Sequence, residues 1–93
     1  PATISINAAT EVSTDDNFTE NSHGLATGSQ LRLTTNAATP ITSTPALTLN
    51  TTYFVINTGV NTFKLATTWA NAQAGTAIDV TATGMGTITF TKG

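Results

Sequence analysis

At 93 residues the chain has the length of one domain, and a chain this short buries only about 60–65% of its unfolded surface, so its core is modest. It holds no cysteine, which excludes disulfides and thiolate metal sites and leaves the redox compartment open. Charged residues are 9% of the chain, against about 25% in an ordinary globular domain, and the three basic ones (Arg32, Lys64 and Lys92) cannot build a basic patch. Nucleic acid and anionic membrane surfaces are therefore not the expected partners.

The N-terminal "PATISINAAT" has no basic segment followed by an apolar one, so no signal peptide is visible there. Pro1 reads as a mature start left by removal of an initiator Met. Within this stretch Ile4 and Ile6 alternate with Thr3 and Ser5, the period of a strand with one buried face. "TEVSTDDNFTENSHG" is polar and turn-rich, with Val12 and Phe18 as anchors, and it carries Glu11, Asp15, Asp16 and Glu20. "SQLRLTT" alternates again, Leu31 and Leu33 inward and Arg32 outward. "NAATPITSTPALTLN" contains Pro40 and Pro45, which cannot donate to a ladder, and reads as a loop or an excursion at a sheet edge.

"TTYFVIN" is apolar on both faces and suits a central strand covered on both sides. "TGVN" then joins it to "TFKLA", making a hairpin. In "TTWANAQAG", Thr67 or Thr68 caps a helix of one or two turns that Gly75 ends. "TAIDV" and "TITFTK" are the last strands, the second with Ile88 and Phe90 on one face. The expected fold is all-β: a small single-domain barrel or sandwich of about six short antiparallel strands, with one short helical turn near residues 67–74. Residues 1–13 are expected to form an N-terminal strand or arm able to pair with a neighbour, and 14–93 the barrel itself. No run of apolar residues approaches the roughly 20 needed to cross a bilayer as a helix.

Few residues invite chemistry. His23 is the only histidine, and no cysteine accompanies it, so a zinc site would rest on carboxylates alone. Ser22 is its sequence neighbour, which does not place the two side chains in hydrogen-bonding geometry. The plain reading is a histidine packed at a turn and bonded to nearby backbone. The four clustered acids match no calcium loop and read as a turn bonding its own backbone. Gly24, Gly28, Gly84 and Gly86 are expected to supply positive φ at turns. Met85, between two glycines, is a candidate exposed contact. Trp69 is expected to pack in the core or plug the barrel. Its functional alternative is a sugar-stacking platform or an interface anchor.

Four pieces in order carry a resemblance: "HGLATGSQLRL" (His23–Leu33), "LTLNTTYFVIN" (Leu47–Asn57), "NTFKLATTWANAQAGTAIDV" (Asn61–Val80) and "TGMGTITF" (Thr83–Phe90). Together they resemble the β-barrel module named after the first catalytic cysteine half-domain of ubiquitin-activating enzymes. Copies of it occur in bacteriophage tail, fibre and capsid-associated proteins. The resemblance implies that His23, Gly24, Leu25 and Gly28 form a signature turn feeding a strand, with Leu25 inward and Gly28 closing it. Asn50 stands where relatives often carry Gly, and Asn tolerates the left-handed conformation.

The resemblance implies a role in the virion: a non-enzymatic structural protein, most simply a capsid decoration or cement protein, or else a tail or fibre module. Its partners would be capsid or other virion proteins and copies of itself, without cofactor or metal. Ile4, Ile6, Trp69 and Met85 are the candidate interface residues. Thr and Asn in place of charge suit dense packing and attachment indifferent to salt. A carbohydrate-binding or adhesin module stacking sugar on Trp69 or Tyr53 is the competing expectation. An enzyme would need a cleft gathering His23 with a buried carboxylate.

Overall fold

The computed structural model describes residues 2–92. The expectation about Pro1 lies outside them. Eight strands and one helix follow in order among the described residues: β1 (Thr3–Asn7), β2 (Phe18–Thr19), β3 (Gln30–Thr35), β4 (Thr42–Thr44), β5 (Thr52–Asn57), β6 (Thr62–Ala66), α1 (Trp69–Ala74), β7 (Asp79–Ala82) and β8 (Thr87–Lys92). Six of the strands form one antiparallel sheet in the order β1-β8-β3-β5-β6-β2. The sheet curls until Val12, just beyond β1, bridges Phe18 of β2, so the architecture is a nearly closed six-stranded barrel. A second sheet pairs β4 with β7. It is tied to the barrel where Ile78 N–H donates to Leu65 C=O at 2.8 Å and where Thr39 bridges Met85.

The alternation read from the sequence is the alternation found. Ile4 and Ile6, Leu31 and Leu33, Phe63 and Leu65, and Ile88 and Phe90 are all buried, while Thr3, Ser5, Arg32 and Thr87 between or beside them are exposed. Burying each such side chain stabilises the fold by about 1.5–3 kcal/mol. Phe18 packs on its cross-strand partner in β6 and reaches across the core to β8. It stacks on Phe63 at 5.6 Å and meets Phe90 edge-on at 6.2 Å, each contact contributing about 0.5–1.5 kcal/mol beyond burial. β5 is only half covered on its second face: Tyr53 and Val55 are buried, Phe54 and Ile56 half-buried, with α1 against it.

The structure corrects several expectations. Of the expected N-terminal strand or arm, the described residues form a strand that belongs to the barrel sheet. β1 pairs along its whole length with β8, from Thr3 opposite Thr91 to Asn7 opposite Thr87. Ile4 and Ile6 point into the core, at 2% and 0% exposed, so their side chains make no interface. The segment expected to be a loop or edge excursion holds β4, whose Ser43 is buried between exposed threonines. The strand expected over "TAIDV" begins at Asp79. Gly84 does not show positive φ, whereas Gly24, Gly28 and Gly86 do. Its reason is steric, since a Cβ there would lie 2.9 Å from Ile41 N.

Candidate functional site

The turn around His23 is built from both sides of its ring. Leu25 N–H donates to His23 Nδ1 at 2.9 Å, so Nδ1 is the acceptor and the proton sits on Nε2. Nε2 donates to the carbonyls of Gly59 (2.8 Å) and Thr62 (2.9 Å), which belong to the β5–β6 hairpin. The ring, 5% exposed, meets Phe63 edge-on at 5.5 Å. Both nitrogens are thus committed to backbone. Ser22 takes φ +51° and its N–H donates to Asn61 Oδ1 at 2.8 Å. Leu25 is buried and Gly28 takes φ +96°, the roles expected for a turn delivering the chain into β3.

Three of the four clustered acids, Glu11, Asp15 and Asp16, serve backbone donors. Glu11 Oε1 accepts from Asn7 N–H at 2.7 Å, and Asp16 Oδ1 accepts from Val80 N–H at 2.6 Å. The exposed Asp15 carboxylate accepts from the Ser13 hydroxyl and from Asn17 N–H, and these bonds, the Ser13 one first, hold its pKa below the usual carboxylate value. Tyr53 is buried, and its hydroxyl accepts from Thr48 N–H at 2.9 Å, which removes it as a stacking platform.

Trp69 overturns the expectation of core packing. It opens a helix capped by Thr68, whose hydroxyl accepts from Asn71 N–H at 3.0 Å, and closed by left-handed Gly75. On so short a helix Ala72 is the buried residue, and Trp69 is 59% exposed. Met85 is 65% exposed, as a contact residue requires. Its backbone exchanges hydrogen bonds with Thr39 at 2.9 and 3.0 Å.

One feature had no side-chain signal. In β1, Lys92 N–H donates to Ala2 C=O (2.9 Å) and Ala8 N–H to Gly86 C=O (2.8 Å), so even-numbered residues bond β8. By the alternation of an antiparallel ladder, Thr3, Ser5 and Asn7 turn their N–H and C=O the other way, to an edge where no described strand pairs along β1. Glu11 closes Asn7, its carboxylate taking the N–H and its own N–H reaching the C=O at 2.8 Å. Thr3 and Ser5 remain open among the described residues. The other short edges are guarded: β4 is flanked by Pro40 and Pro45, and Asp16 occupies Val80 N–H of β7. β1 itself contains neither proline nor charge.

Comparison with known proteins finds no match: no protein-family model, no curated protein and no solved structure aligns significantly with this chain.

Proposed function

We propose that the chain is a non-enzymatic structural subunit of a bacteriophage virion, a capsid decoration or cement protein that attaches to neighbouring virion proteins or copies of itself through the β1 edge. The observation that carries this reading is the open pair of residues at Thr3 and Ser5, a stretch of edge that among the described residues has no proline, charge or cap. An extended segment of a neighbour can continue the barrel sheet there. Two residues offer two donors and two acceptors, each bond contributing about 0.5–1.5 kcal/mol. Apolar contacts at the exposed Met85 add to them. The motif likeness to the phage barrel module, and a single histidine tied on both nitrogens to backbone, support a structural role over a catalytic one.

Two measurements test the reading. An antibody against the chain should label the heads of purified phage particles in electron micrographs. Label on tails moves the role to a tail or fibre module, and unlabelled particles overturn the virion assignment. Ser5→Pro deletes an outward N–H without touching a bond to β8. It should weaken attachment about tenfold or more while the thermal melt stays within a few degrees. Undiminished attachment by a folded Ser5→Pro protein overturns the edge mechanism.

A further inference from the structure

The segment Ser22–Ser29 connects two exposed apolar features. At one end is an open hollow of about 570 Å³, lined in part by Gly24, Leu25, Gly59 and Val60, with Val60 74% exposed. At the other end Trp69 lies over Gly28. A Cβ added to Gly28 would sit 3.0 Å from both Trp69 Nε1 and Gln73 Nε2, so the edge of the indole and the Gln73 amide rest directly on glycine backbone. The segment is held fast against β5: Gly28 N–H donates to Val55 C=O and Val55 N–H to Ser29 C=O, both at 2.8 Å, and Asn57 N–H donates to Thr27 Oγ1 at 3.0 Å. Leu25 and Gly28 are three residues apart, so the backbone points that carry the two features lie at most about 11 Å from each other.

We infer that this face binds a neutral oligosaccharide, one ring on the Trp69 indole and another over the Leu25–Val60 hollow. Sugar rings offer an apolar C–H face and a rim of hydroxyls, and the face presents the matching set: an exposed indole, an apolar hollow, and the uncharged polar groups of Gln73, Asn57 and Ser22. No carboxylate, lysine or arginine lies among the described residues lining the hollow, and His23, which also lines it, has both ring nitrogens engaged by backbone. A phosphorylated, sulfated or uronic ligand would find no counter-charge there. The hollow falls within the usual size range of small-ligand sites, about 300–1,000 Å³.

Trp69 is the only tryptophan, so emission excited at the red edge of the indole band, beyond Tyr53 absorption, reports on this face. Titrating the intact chain with neutral glucan, mannan, galactan and chitin oligosaccharides should give a saturable emission change for at least one class, with Kd of about 1 mM or tighter. Calorimetry should show Trp69→Ala weakening that binding about tenfold or more, and Gly28→Ala weakening it by displacing the indole. Met85→Ala and Ser5→Pro should leave it unchanged, which separates this site from the β1 edge. Circular dichroism checks that each variant is folded. Absence of binding by every neutral class, equal binding by folded Trp69→Ala, or a face occupied instead by a second copy of the chain would overturn the inference.

Discussion

His23 shows how far chemistry at one residue depends on what its two nitrogens already hold. A histidine beside a serine and a glycine invites an acid–base reading on paper. In the fold Nδ1 is spent on Leu25 N–H, and Nε2 on two carbonyls of the β5–β6 hairpin. The side chain therefore works as a clamp between a turn and a hairpin 36 residues and more away in sequence. Its removal strands a buried N–H and loses the edge contact with Phe63. His23→Ala is expected to destabilise the chain by about 2–4 kcal/mol, read as a lower urea midpoint at an unchanged m value. A midpoint within experimental error of the parent would show that the clamp is dispensable. Asn50 is the simpler case: at φ +61° it holds the left-handed conformation expected of it.

At the scale of elements, the strands with regular alternation were legible and the shortest were not. β2 has two residues and β4 three, too few for a period-2 pattern to stand out from polar surroundings. β4 exists because β7 and the Gly84–Gly86 turn hold it. Gly84 lies so close to the Thr39 carbonyl, Pro40 and Ile41 that a Cβ has no room, and Gly86 approaches Ala38. Gly84→Ala should push the Thr39–Met85 bridge apart, at a cost of about 1–3 kcal/mol. Amide exchange at Thr39 and Met85, whose N–H groups form that bridge, should rise before exchange in the barrel. Unchanged protection at both amides would count against this tethering. Strand β3 carries an irregularity of the same hidden kind. Its pairing with β8 shifts between Leu33 and Thr35, and Thr34 Oγ1 donates to Thr89 C=O at 3.2 Å across the shift. Nothing in "QLRLTT" announces where it falls.

For the whole molecule, scarcity of charge is the governing property. With three cations and five carboxylates in 93 residues, the attachment proposed above cannot rest on ion-pair networks. Backbone bonds at β1 and apolar contacts are weakly screened, whereas exposed ion pairs fade beyond a Debye length of about 10 Å at 0.1 M salt. The proposed attachment to particles should therefore change less than about threefold between about 50 and 500 mM NaCl, measured by co-sedimentation. Stripping by moderate salt would show that charge holds the contact. The Cα radius of gyration, 11.5 Å, fits the single domain expected for this length, about 12 Å.

The order of residues by itself determined what is local and periodic: the all-β class, the inward residues of β1, β3, β6 and β8, the hairpin at 58–61, the capped helix from Thr68 to Gly75, and the turn character of His23–Gly28. Each of these depends on neighbours a few positions away, so a period or a cap residue is enough to betray it. Tertiary structure decided the rest. Whether β1 is a free arm or a barrel strand depends on β8, about 80 residues downstream. Whether Trp69 is buried depends on how a six-residue helix meets Gly28. Which edge stays open depends on Asp16 and Glu11 reaching backbone groups that no linear pattern pairs with them. Those are contacts closed across space, and a one-dimensional pattern has no term for them.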